Sequence, residues 1–178
     1  MVEVEAKVRL SKRDHDRLAK SIQNFAKPLG KTLKVDRYYG NGTFDLRIRE
    51  EDGRAVLTFK VRRRERGIET NEESEIPIGR AAPWDRMLRK NGFPLRARKR
   101  KRCQAFQDGK FRIELNTVTG LGHFLEIECL VKGESEVAGA RARLVALFRK
   151  LGFGPGDFER KLYLELLAEK GKNRKAPK

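Results

Sequence analysis

Two cysteines, two histidines, two methionines and a single tryptophan in 178 residues leave little material for several kinds of chemistry. Cys103 and Cys129 cannot build a disulfide framework, and a zinc site would need four ligands at tighter spacing. Both fall in predicted strands, where buried, reduced thiols are the ordinary outcome. His15 lies in the first predicted helix and His123 beside a glycine turn, and no catalysis by histidine is implied. No basic-then-apolar leader opens the chain, and no apolar run reaches the about 18 residues of a membrane span. A soluble, cytoplasmic protein with no membrane association is the expectation. Acidic charge is also short, with 25 Asp plus Glu against 42 Lys plus Arg and a net charge of +17. Such an imbalance implies an anionic partner: a nucleic acid, a polyphosphate, a phosphorylated metabolite or an acidic membrane surface.

What is present is alternation. In Val2–Leu10 the residues Val2, Val4, Ala6, Val8 and Leu10 share one face of an extended strand, and Glu3, Glu5, Lys7 and Arg9 the other. The pattern recurs. Leu46 and Ile48 oppose Asp45, Arg47 and Arg49, and Leu57, Phe59 and Val61 oppose Thr58, Lys60 and Arg62. Ile76 and Ile78 oppose Glu73 and Glu75. Phe111, Ile113 and Leu115 oppose Arg112, Glu114 and Asn116, while Leu125, Ile127 and Cys129 oppose Glu126 and Glu128. Further strands are predicted at Lys34–Tyr39 and in the basic segment Leu95–Phe106. Turn signals stand at 40–42, 52–53 and 108–109. Helices are predicted at 13–25 (capped by Ser11, ended by Pro28 and Gly30), 83–91, 134–151 and 157–170.

These amount to about eight strands joined by hairpins, with amphipathic helices between and after them. A sheet with one charged face can simply be solvated. The helices, however, need apolar surface to pack on, and the apolar rows supply it if the sheet curls with its charged rows inward. The predicted fold class is α+β: an antiparallel β-barrel tunnel with a charged interior and helices outside. A single domain over 1–170 and a basic, disordered tail over 171–178 are expected.

Particular motifs resemble the CYTH family, the triphosphate tunnel metalloenzymes. Glu3-x-Glu5-x-Lys7 is similar to its N-terminal signature, Asp36-Arg37-Tyr38-Tyr39 to its Asp-x-Tyr-Tyr/Phe strand, and Leu46-Arg47-Ile48-Arg49 to its Leu-Arg-x-Arg strand. Leu57-Thr58-Phe59-Lys60, Lys101-Arg102, the Gly120-Leu121-Gly122 to Glu126-x-Glu128 segment, and Lys161 to Leu167 continue the resemblance in order. It spans roughly residues 1–167. Two positions depart from it: Asn116 stands where many members carry an acidic ligand, and Ala105 replaces a common Tyr. The His-Phe pair that precedes the signature in class IV adenylyl cyclases is also missing, which favours a phosphohydrolase.

The resemblance implies metal-dependent attack of water on the terminal phosphorus of a bound triphosphate, with Glu3, Glu5 and Lys7 catalytic. Lys7, Arg47, Arg49, Lys60, Arg102 and Lys161 would surround the phosphates, Arg as a bidentate fork and Lys as a point charge. Glu3, Glu5, Glu126 and Glu128 would hold Mg²⁺ or Mn²⁺, hard cations that take oxygen ligands. The substrate class is inorganic tripolyphosphate or an organic triphosphate such as thiamine triphosphate or a nucleotide. The alternatives are an adenylyl cyclase making cyclic AMP from ATP, or a non-catalytic module binding polyphosphate or an RNA 5′-triphosphate. Nucleic acid is a secondary partner through the basic surface, with few aromatics to stack bases. A monomer or homodimer is expected.

Overall fold

The computed structural model describes residues 1–40 and 45–173. Eight strands close into an antiparallel barrel in the order β1-β5-β4-β3-β2-β6-β7-β8. They are β1 Val2–Leu10, β2 Lys27–Tyr39, β3 Asp45–Glu51, β4 Arg54–Glu65, β5 Ile68–Ile78, β6 Leu95–Asp108, β7 Phe111–Val118 and β8 Gly122–Val131. The helices are α1 Lys12–Ser21, α2 Ala81–Lys90, α3 Val137–Lys150 and α4 Tyr163–Asn173. No helix among the described residues is long and apolar enough to cross a membrane.

The apolar rows do face outward, those of β1, β7 and β8 against helices, while Phe59 and Val61 of β4 and Ile76 of β5 stay exposed. Val4, Val8, Ile113, Leu115, Leu125 and Ile127 pack with Leu18 of α1 and with Ala140, Leu144 and Phe148 of α3, all fully or nearly fully buried. Burying each large apolar side chain is worth about 1.5–3 kcal/mol. A second cluster joins Tyr39, Ile48, Ala55 and Ile78 to Ala81 and Leu88 of α2. The third lies inside the barrel: Val118 and Phe124, on the same rows as Glu114 and Glu126, meet Tyr163 and Leu166 of α4. This helix therefore covers one end of the tunnel.

Several expected boundaries shift. Ser11 caps α1 by accepting from the Asp14 backbone N–H at 3.0 Å, but the helix stops at Ser21 and a 3₁₀ turn covers Ile22–Asn24. Pro28 and Gly30 lie within β2, whose Lys27–Leu33 half pairs only with β6. A free strand edge tolerates the missing proline N–H. Gly30, at φ +114°, sits at the accompanying irregularity. Gly67 closes an unanticipated hairpin at φ +84°, where a Cβ would stand 2.8 Å from that of Phe158. The last helix starts at Tyr163 rather than 157 and runs through Asn173, so the first residues assigned to a disordered tail are helical. The turn at 41–42, the start of the third strand at Phe44 and the tail at 174–178 lie outside the described residues.

Candidate active site

Because side chains alternate across each strand, closing the barrel on its apolar outer rows gathers the charged rows inside. They line a cavity of about 610 Å³. Nine lysine and arginine side chains and nine glutamates share its walls, from all eight strands.

One wall is acidic. Carboxylate oxygens of Glu3, Glu5 and Glu128 all lie within 4.8 Å of one another, since Glu5 pairs directly with Glu128 across β1 and β8. Asn71 donates to Glu3 at 3.1 Å and to Glu5 at 3.2 Å. The Lys60 ammonium donates to Glu3 at 2.9 Å and Glu5 at 3.4 Å, and also pairs with Glu73. Burial opposes charge on Glu5, but Lys60 and Lys7 overcome it and hold the carboxyl well below its usual range. Glu128 behaves oppositely. Burial first, then the charges of Glu3, Glu114 and Glu5, push its carboxyl up to about 8. Crowded carboxylates in such a state are what a hard divalent cation relieves, so the residues fit an oxygen-ligated metal.

The other walls carry the cations. Lys7 donates to Glu69 at 3.0 Å, whose own carboxyl burial and the Glu5 charge raise. Arg47 donates to Thr58 at 3.1 Å, and among the described residues its buried Nε has no hydrogen-bond partner. Arg49 forks onto Asp36 at 2.7 and 3.0 Å, and Lys99 meets the same carboxylate at 3.0 Å. Lys101 bridges Glu114 at 2.9 Å and Glu126 at 2.8 Å. Against the cost of burial, those two glutamates hold its ammonium charged well above the usual range. Lys34 adds a 2.7 Å bond to Glu114.

Of the expected site residues, Glu3, Glu5, Lys7, Arg47, Arg49, Lys60, Glu126 and Glu128 all line this cavity. Two do not. Arg102 is exposed on the outer face of β6, and its neighbour Lys101 is the inward residue. Lys161 is exposed before α4 and bonds Glu169 at 2.8 Å, whereas Leu162, Tyr163 and Leu164 reach the tunnel. Glu126, expected beside Glu128 on a metal, turns to Lys101 and to the Asn116 amide at 2.8 Å. Asn116 thus ties Glu126 to Glu114 at the position that lacks an acid.

Sequence reasoning passed over Lys34, Asp36, Glu69, Lys99, Lys101 and Glu114 as site residues. A signal for β6 did exist. Phe106 must face the helix-packed core, and counting back in twos from it puts Arg102 outside and Lys101 inside. Tyr163 had no such signal. Its hydroxyl is buried beside the Glu126 carboxylate, and burial followed by that charge raises it well above the usual phenol range; its ring faces the ammonium groups of Lys99 at 4.6 Å and Lys7 at 5.5 Å.

The closed barrel thus sets a cluster of carboxylates, the donors a hard cation takes, in one cavity with cations from many strands. The CYTH domain family model matches residues 1–163, and the chain belongs to that family. A curated relative from Methanocaldococcus jannaschii, named "Putative adenylate cyclase MJ0240", is 27% identical over 174 residues, covering 93% of this chain and 98% of that protein. Among solved structures, the PH1012 protein of Pyrococcus horikoshii OT3 superposes with a TM-score of 0.82 at 26% identity, covering 92% of this chain and 98% of its own. The PH1819 protein of the same organism gives 0.80 at 29% identity, with 94% and 99% covered.

Proposed function

We propose that the tunnel binds a linear triphosphate and hydrolyses its terminal phosphoanhydride bond in the presence of Mg²⁺ or Mn²⁺. The observation that carries this reading is the Glu3, Glu5 and Glu128 cluster set in one cavity with Lys7, Arg47, Arg49, Lys60, Lys99 and Lys101. A divalent cation held by those three glutamates would neutralise phosphate oxygens and acidify a water. The chain's own groups supply the rest. Transfer of a terminal phosphoryl group to water needs mainly positioning and charge stabilisation. Arg47 and Arg49 suit bidentate contacts to phosphate oxygens, and Lys7, Lys60, Lys99 and Lys101 spread positive charge around the chain of phosphates. Glu5, held ionised, is better suited to binding a cation than to removing a proton. The new oxygen–phosphorus bond comes from water, the anhydride oxygen leaves with the shorter polyphosphate, and solvent takes the proton.

The runner-up is an adenylyl cyclase, the activity in the name of the relative from M. jannaschii. Hydrolysis is preferred because the aromatic residues lining the cavity are Tyr38 and Tyr163, and Lys99 stands over both rings. A cation therefore stands against each ring where a purine would stack. The test is release of phosphate and cyclic AMP from tripolyphosphate, thiamine triphosphate and ATP with each metal, beside Glu5→Gln and Lys60→Ala. Metal-dependent phosphate release lost in both variants supports the hydrolase. Cyclic AMP as the main product selects the cyclase, and triphosphate binding without turnover overturns both.

A further inference from the structure

The tunnel does not account for the charge of this chain. Its lining is balanced, with nine cationic and nine acidic side chains, so the net +17 must sit outside it. The outer face of β6 concentrates part of that surplus. Arg96, Arg98, Arg100 and Arg102 are all exposed, alternating with Ala97, Lys99 and Lys101. The same run therefore splits by residue type: its lysines turn in to buried carboxylates, its arginines out to solvent.

Alternate residues of a strand repeat at about 6.8 Å, so Arg98, Arg100 and Arg102 form a line about 14 Å long, and Arg96 stands at its end, at the register irregularity opposite Tyr38 and Tyr39. Register with β2 sets Arg37 beside Arg98 and Lys31 beside Gln104 on the same face. Arg37 is paired with Glu50. Among the described residues, none of the four arginines has a carboxylate within ion-pair distance. Like charges on successive same-face positions repel and contribute nothing to folding, which makes the line a feature for a partner. Between Lys31 and Arg37 on β2 lie Val35 and the exposed Leu33, opposite Arg100 and Arg102 respectively.

We propose that this face of β6 is a docking surface for the backbone of single-stranded nucleic acid. An extended strand, with a sugar between successive phosphates, repeats on the same length scale as the arginines. Guanidinium groups match phosphate oxygens bidentately. The line is one strand wide, which follows a single backbone better than it covers a lipid surface. No aromatic residue interrupts Leu95–Lys101, so recognition rests on phosphates and is indifferent to base sequence. The proposal is independent of the reaction in the tunnel.

The probe is a short oligouridylate with a 5′-hydroxyl and a 3′-fluorophore, titrated by anisotropy at several salt concentrations. Four phosphate contacts give a slope of log K against log salt of about −2.8, at about 0.7 per contact. Arg96→Gln/Arg98→Gln reduces the slope by about 1.4 and leaves the thermal midpoint unchanged, while Lys60→Ala binds like wild type. Unchanged affinity and slope in the arginine variant overturns the proposal. So does loss of binding in Lys60→Ala, which would move the contact into the tunnel. Equal binding of a duplex of the same length removes the single-strand assignment. Co-sedimentation with phosphatidylserine vesicles, without oligonucleotide binding, replaces nucleic acid with an anionic membrane.

Discussion

Lys101 donates to Glu126 at 2.8 Å, both side chains buried in the tunnel, while the next residue along β6, Arg102, points into solvent. Adjacent basic residues thus have opposite physical roles. Lys101→Met leaves Glu114 and Glu126 facing each other without their shared cation, and breaking a buried pair typically costs about 3–5 kcal/mol. Arg102→Ala should stay within about 0.5 kcal/mol of wild type. Urea unfolding of the two variants side by side reads the difference, and equal effects would mean that the inward residue is misassigned.

Glu128 predicts a trade between stability and metal binding. Its folded-state carboxyl is raised from 4.5 to about 8. That contribution is fully present below the unfolded value and is lost as pH rises toward 8. Glu128→Gln in metal-free protein should therefore melt higher than wild type at pH 8 and close to it at pH 4. The same variant should lose most of the rise in midpoint that wild type shows with Mn²⁺. Thermal melts with and without metal check both halves.

Asp36 predicts the opposite sign. Burial disfavours its charge, but Lys99 and Arg49 hold the carboxyl well below its usual range. A depressed value gives stability that is present above about pH 4 and lost as pH falls through the folded value. Asp36→Asn should be strongly destabilised at pH 7, and its deficit against wild type should shrink as the pH drops below 4. A deficit that stays constant with pH would show that packing rather than charge holds this position.

Cys103 should be chemically silent in the native state. Burial, followed by the charge of Glu114, pushes its thiol up to about 12, and burial raises Cys129 as well. Since the thiolate is the reactive form, iodoacetamide at pH 8 should label neither residue until the protein unfolds. Mass spectrometry with and without denaturant measures this, and rapid native labelling of Cys103 would contradict its placement.

Much of the architecture is written in local alternation. The two faces of β1, β4, β7 and β8 were readable because side chains alternate with a period of two whatever the rest of the chain does. Ser11 was readable as a cap because its hydroxyl bonds only three residues away. Period two divides a strand into two rows without saying which row faces in. Where both rows are basic, as in β6, charge alone gives no answer; only the count from Phe106 separates them, and barrel closure against Lys34 and Glu114 buries Lys101 and leaves Arg102 outside. Pro28 and Gly30 read as a break, yet pairing on one side with β6 makes them strand. The meeting of Glu3, Glu5 and Glu128 depends on the register between β1 and β8, set by contacts more than a hundred positions apart. Residue order alone determined the charged and apolar rows; only closure of the sheet, driven by burying the apolar rows under the helices, turned the charged rows into a tunnel and left the arginine line outside.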